Sequence, residues 1–131
     1  MKNVILMLSV LFINTVAFAH GEDKLGPNGG YVRMPGAFHT ELVPVNSNKF
    51  KVYLLDIEWK NPTLTGAKVD IYLKGKPMKK ATCEIKENYF LCNFPSKINM
   101  TKKGELKVIA EREGKIGAEV TYHLPFKLEA N

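Results

Sequence analysis

From residue 38 onward, apolar and polar residues alternate in short runs separated by turn residues. Phe38, Thr40 and Leu42 alternate with His39 and Glu41. After Asn46-Ser47-Asn48, Phe50, Val52 and Leu54 alternate with Lys51 and Tyr53. A period of two marks a strand with one buried face, because successive side chains point to opposite sides of a sheet. A three-residue loop at 45–47 sets Leu42 opposite Phe50 and Thr40 opposite Val52, so the apolar sets share one face. The same count sets Glu41 opposite Lys51 and His39 opposite Tyr53. Val69, Ile71 and Leu73 mark a further strand, ended by Gly75 and Pro77.

The next pair of strands is more informative. A two-residue turn at Glu87-Asn88 pairs Lys86 with Tyr89, and counting outward brings Ile85 to Phe90, Glu84 to Leu91 and Cys83 to Cys92. With Lys86 and Tyr89 hydrogen-bonded, the two cysteines fall at a non-hydrogen-bonded pair, where side chains come closest. Ala81, Cys83 and Ile85 then share a face with Phe90, Cys92 and Phe94. A cross-strand disulfide fits both count and pattern; a metal role for the cysteines is the alternative. In the last hairpin, Leu106, Val108 and Ala110 face Ile116, Ala118, Val120 and Tyr122. A three-residue loop, Glu113-Gly114-Lys115, sets Val108 against Val120 and Leu106 against Tyr122, with Gly114 at positive φ.

No strong helical period occurs after residue 19. Seven or eight short strands with frequent turns predict an all-β domain, an immunoglobulin-like β-sandwich of antiparallel strands. Trp59 fits either the core or its edge. Residues 20–30, HGEDKLGPNGG, are polar, glycine-rich and contain Pro27, and predict an irregular arm.

Residues 1–19 read as a secretory signal: Lys2 supplies the positive start, an apolar stretch runs from Val4 to Val16, and Ala17-Phe18-Ala19 is a small-x-small cleavage site. The apolar stretch is short and interrupted for a membrane span, so the mature chain is expected to carry no transmembrane segment. Removing nineteen of the 131 residues leaves 112, one domain starting at His20. The expected destination is the periplasm, an oxidising compartment that suits the disulfide. The formal net charge of +6 comes from scattered lysines without an aromatic ladder. It reads as a solvated surface, with no nucleic-acid partner expected.

Candidate chemistry is sparse. Ser47 and Ser96 lie in loop-like settings without a nucleophile elbow, and paired cysteines are not nucleophiles, so no enzyme is expected. The three histidines are His20, His39 and His123. Cleavage before His20 would free an α-amine beside its imidazole, and the two nitrogens chelate one metal ion. Nitrogen ligands in an open geometry suit copper best among the common divalent ions. His39 and His123, each on the non-core face of a strand, are the candidates to complete such a brace. Met34 offers a soft thioether.

The segment HGEDKLGPNGGYVRMPGAFHTEL, with KVYLLDIEW after it, resembles a group of small periplasmic proteins and domains. These start with His-Gly, carry a Gly-Pro-His-Gly-Gly-like turn, and continue into a strand ending in Glu-Leu; related domains occur beside heavy-metal efflux adaptor proteins. The resemblance spans residues 20–59 and implies a periplasmic, metal-handling role, with a metal-efflux or other envelope protein as partner. His20, Gly29, Gly30, His39 and Glu41 fit the pattern. Asn28 stands where the group often has histidine, which takes one potential ligand away. The expected function is a copper carrier or sensor, and the alternative is an envelope interaction module that binds no metal.

Overall fold

The computed structural model describes residues 24–128, and among the described residues there is no helix. Ten strands follow in chain order. They are β1 (Tyr31–Arg33), β2 (His39–Pro44), β3 (Lys49–Leu55), β4 (Lys68–Leu73), β5 (Lys79–Lys80), β6 (Thr82–Ile85), β7 (Phe90–Asn93), β8 (Gly104–Arg112), β9 (Lys115–Ile116) and β10 (Val120–Leu124). The first sheet has the order β1-β2-β3-β7-β6. The second has the order β10-β8-β4-β5, with β9 folded back on β8. All pairings are antiparallel. The chain changes sheets between β5 and β6 at the buried Ala81, whose N–H donates to the Ile71 carbonyl at 3.0 Å.

The core lies between the sheets and is built from the alternating positions. Phe38, Leu42, Phe50, Val52 and Leu54 come from the first sheet; Val69, Ile71, Leu106, Val108, Tyr122 and Leu124 come from the second. Each such aliphatic or aromatic side chain contributes about 1.5–3 kcal/mol on leaving water. A pair of hydroxyls meets inside the core: the Thr40 hydroxyl lies 2.6 Å from that of Tyr122, which also donates to the Thr40 carbonyl at 3.1 Å. A hydroxyl pair satisfied in this way costs little to bury.

The cysteine hairpin forms in the expected register. Cys83 faces Cys92, Glu84 faces Leu91, Ile85 faces Phe90, and Lys86 N–H donates to the Tyr89 carbonyl. The Cys83–Cys92 disulfide is present. Ile85 departs from expectation: it is 62% exposed, because β6 is the sheet edge and its tip overhangs the core.

Two loops differ from their predicted form. Between β2 and β3, Val45 closes on Lys49, so the loop is Asn46-Ser47-Asn48, one residue further along. Leu42 therefore faces Val52 and Thr40 faces Leu54, while Glu41 faces Tyr53 and His39 faces Leu55. The faces survive because the slip is an even number of residues, but the expected Glu41–Lys51 pair does not form. In the last hairpin Val108 faces Val120 and Leu106 faces Tyr122 as expected. The turn, however, is the two-residue Glu113-Gly114, both at positive φ (50° and 77°), joining Arg112 to Lys115. A two-residue turn with both φ positive matches the twist of the flanking strands. One extra residue between Gly117 and Val120 then acts as a bulge and restores the register that puts Tyr122 in the core.

Candidate functional site

His39 and Glu41 lie on the face of β2 that points away from the core, yet His39 is only 1% exposed and Glu41 0%. The cover comes from chain outside the strands. Gly26-Pro27-Asn28-Gly29 forms a turn in which Gly29 N–H donates to the Gly26 carbonyl at 3.0 Å. This turn delivers three donors to the Glu41 carboxylate. Asn28 N–H and Gly30 N–H reach Oε1 at 2.8 and 3.0 Å, and the Asn28 amide reaches Oε2 at 2.8 Å. Charge-assisted bonds of this kind are the strong ones, and they compensate the burial of an ionised carboxylate. The approach is close: a Cβ on Gly26 would stand 2.5 Å from the Glu41 carboxyl carbon, and one on Gly30 would stand 2.6 Å from the Leu42 carbonyl oxygen. Only glycine fits there. Glu41 is thus the anchor of the arm, not a ligand and not a partner of Lys51, and the Asn28 amide is used in holding it.

A second covering element is the turn after β3. Asp56 organises it: Oδ1 accepts from Glu58 N–H and Lys60 N–H at 2.9 Å each, and Oδ2 accepts from the Asn61 amide at 2.8 Å. These bonds, led by that from Lys60, hold the Asp56 carboxyl below its ordinary range. Trp59 and Asn61 adopt φ of 64° and 51°, a left-handed conformation that costs about 1 kcal/mol or more for residues with a Cβ. From the other sheet, the mostly buried Arg112 donates to the Asn61 carbonyl at 2.7 Å and the Leu54 carbonyl at 3.3 Å, clamping the turn to the sandwich. The result is the placement of Trp59, which the sequence left open. It lies outside the core, with its ring in an edge contact 5.7 Å from that of His39.

The Asp56 backbone carbonyl lies 3.0 Å from His39 Nδ1. A carbonyl only accepts, so Nδ1 carries a hydrogen, and in the neutral form of the ring the lone pair lies on Nε2. A carbonyl on one ring nitrogen is the outer-shell device that orients a metal-binding imidazole toward its other nitrogen. The arm runs past this point, since the Lys24 ammonium lies 5.4 Å from the Trp59 ring centroid. Tyr53 and Tyr89, 5.2 Å apart, extend the cover along the face. The Tyr53 hydroxyl is held above its ordinary range by burial first, then by Tyr89 and Glu41.

The other expected site residues scatter. His123 alternates with Tyr122 and Leu124, and its side chain is 46% exposed beside Glu105, with Nδ1 3.9 Å from Oε1. Thr40 and Tyr122 meet inside the core, so their chain neighbours His39 and His123 point away on opposite outer faces, a sandwich thickness apart. Met34 is half-buried in the bend between β1 and β2 and takes no part in the bonds or ring contacts around His39. His20 and the expected cleavage site lie outside the described residues. Among the described residues, no three histidine, cysteine, aspartate or glutamate side chains converge as a metal site. No described helix is long and apolar enough to cross a membrane.

The fold and this covered face define a two-sheet antiparallel β-sandwich that fastens residues 26–30 over a buried glutamate and a tryptophan-bearing turn over a buried histidine. No family model, curated protein or solved structure matches the chain.

Proposed function

We propose that this is an exported periplasmic protein that binds copper as a carrier or sensor, through the α-amine and imidazole of His20 and Nε2 of His39. The observation that carries this reading is the Asp56 carbonyl at His39 Nδ1, which leaves Nε2 as the nitrogen with the lone pair when the ring is neutral. Three residues separate position 20 from Lys24, so at most about 14 Å of extended chain lies between it and Lys24, which lies on Trp59 beside His39. The donors are neutral nitrogens, a set that favours Cu(II). His123 belongs to a different surface and is left out of this site. The chain's own part is to hold: Glu41 fixes the arm, Asp56 orients the imidazole, and Trp59 walls it from water.

Trp59 is the only tryptophan, so its fluorescence reports on binding beside His39. The test is titration of Cu(II) into protein that starts at His20, followed by calorimetry and Trp59 emission, beside a version with one extra residue before His20. The extra residue removes the free amine and leaves both imidazoles and the fold. The expected result is quenching in the first protein and at least about tenfold weaker binding in the second, the loss of one ligand nitrogen. Equal affinities would overturn the terminal chelate and favour a metal-free interaction module.

A further inference from the structure

Where β4 and β10 end, Lys74, Lys103, Gly104, Glu105, His123, Leu124, Pro125 and Lys127 line an open cleft of about 530 Å³. Its three lysines come from separate stretches of chain: the end of β4, the approach to β8 and the segment after β10. That last segment is not loose, because Phe126 stacks on Tyr31 with centroids 4.8 Å apart and edges onto Phe50 at 6.2 Å. The packed ring holds Lys127 at the cleft. Lys74 is fixed as well: its N–H donates to the Glu105 carbonyl at 3.0 Å, and its ammonium lies 3.1 Å from Glu105 Oε2.

Among the described residues Glu105 is the cleft's one carboxylate, and Lys74 already engages it; Lys107 adds a second ammonium at 3.7 Å. Those contacts, Lys74 foremost, hold its carboxyl below the ordinary range, so it stays ionised and keeps Lys74 in place. Among the described residues, no carboxylate lies within ion-pair distance of Lys103 or Lys127. Among the described residues, three lysines against one carboxylate leave an excess of two positive charges along this concave surface, beside an imidazole and an apolar wall of Leu124 and Pro125. The rest of this sheet's outer face is balanced by pairs such as Lys80–Asp70 and Lys107–Glu119.

We propose that this cleft binds a phosphomonoester-type anion, whose two negative charges match the excess of two ammonium groups among the described residues. Lys103 and Lys127 engage the phosphate oxygens, and Leu124 and Pro125 border the group that carries it. Lysine serves here as a point charge, as at many phosphate sites. The site is independent of copper binding, on the other side of the sandwich.

The experiment follows the Gly104 amide and the His123 ring by NMR in the whole protein. One arm adds inorganic phosphate at constant ionic strength. The other adds phosphatidylcholine vesicles with and without phosphatidic acid. Saturable changes at Gly104 and His123 are expected. Lys103→Gln with Lys127→Gln should weaken binding about tenfold, the loss of two short-range attractions in water. Lys97→Gln with Lys115→Gln, removing two exposed charges elsewhere, should change it less than about twofold. Saturation with phosphate supports a soluble ligand; saturation only with phosphatidic acid supports a headgroup of the same chemistry. No saturation with either probe, or equal weakening in both double variants, would overturn the proposal.

Discussion

The two sheets turn the same alternating pattern into opposite outer surfaces. On the first, the positions that alternate with the core, His39, Glu41, Tyr53 and Leu55, are themselves buried. Glu41 lies under the glycine turn of the arm and His39 under Trp59. On the second, the equivalent positions remain in water as a lattice of ion pairs, with Lys107 between Glu105 and Glu119, and His123 beside Glu105. Alternation therefore tells which face packs against the other sheet. It does not tell whether the remaining face is covered, because the cover is supplied by loops and arms. A histidine under cover has its tautomer chosen by the protein; a histidine in water does not.

The largest difference should appear when the carboxylates of the two faces are removed. Glu41→Ala deletes the acceptor of three hydrogen bonds and leaves the Gly30 N–H buried without one. The expected loss is about 3 kcal/mol in urea unfolding, with a shift of Trp59 emission as the arm lifts. Glu119→Ala on the second sheet, where the pair with Lys107 is exposed, should cost less than about 0.5 kcal/mol. Similar costs for the two substitutions would erase the distinction between the faces.

The fold was largely legible in the sequence because its core follows a strict period of two. The disulfide was legible because its hairpin has a short turn that can be counted outward. The β2–β3 register was not, since Val45 gives no sign that it closes the loop rather than belonging to it. The covered face had one signal: Tyr53-Leu54-Leu55 is a continuous apolar run, and a strand apolar on both sides needs cover on both. Which segment supplies that cover could not be read. The bond from Gly30 to Glu41 spans eleven residues and depends on the absence of two Cβ atoms. The position of Trp59 depends on a left-handed backbone that no residue type there requires. His123 was placed correctly on an outer strand face, but alternation cannot say which sheet that face belongs to.

A smaller effect tests the turn that orients His39. Asp56→Asn keeps an acceptor for Glu58 and Lys60 but sets its amide against that of Asn61. The group is largely exposed, so the cost should be at most about 1 kcal/mol near neutral pH. The Asp56 carboxyl is held below its ordinary value of 3.8 in the folded protein, chiefly by Lys60 N–H. Its contribution is therefore fully present above that value and is lost as pH falls through the lowered folded one. Parent and variant should differ by a constant amount between pH 5 and pH 7 and converge below about pH 4. A difference that persists undiminished at pH 2 would show that the charge of Asp56 does not hold the turn.

The smallest expected effect is the sharpest test of the two faces. His123→Ala removes an imidazole that is nearly half exposed and 3.9 Å from Glu105. Stability should change by less than about 0.5 kcal/mol, as for other side chains that stand largely in water. Cu(II) affinity of protein starting at His20 should also stay within about twofold, since Tyr122 points into the core between this ring and His39. The same variant should still alter the phosphate response of the lysine cleft, which His123 lines. One substitution thus separates the surfaces: copper binding unmoved, anion binding changed. If removing His123 weakened copper tenfold, the metal would have to reach the second sheet, and a site built on His39 beneath Trp59 could not stand.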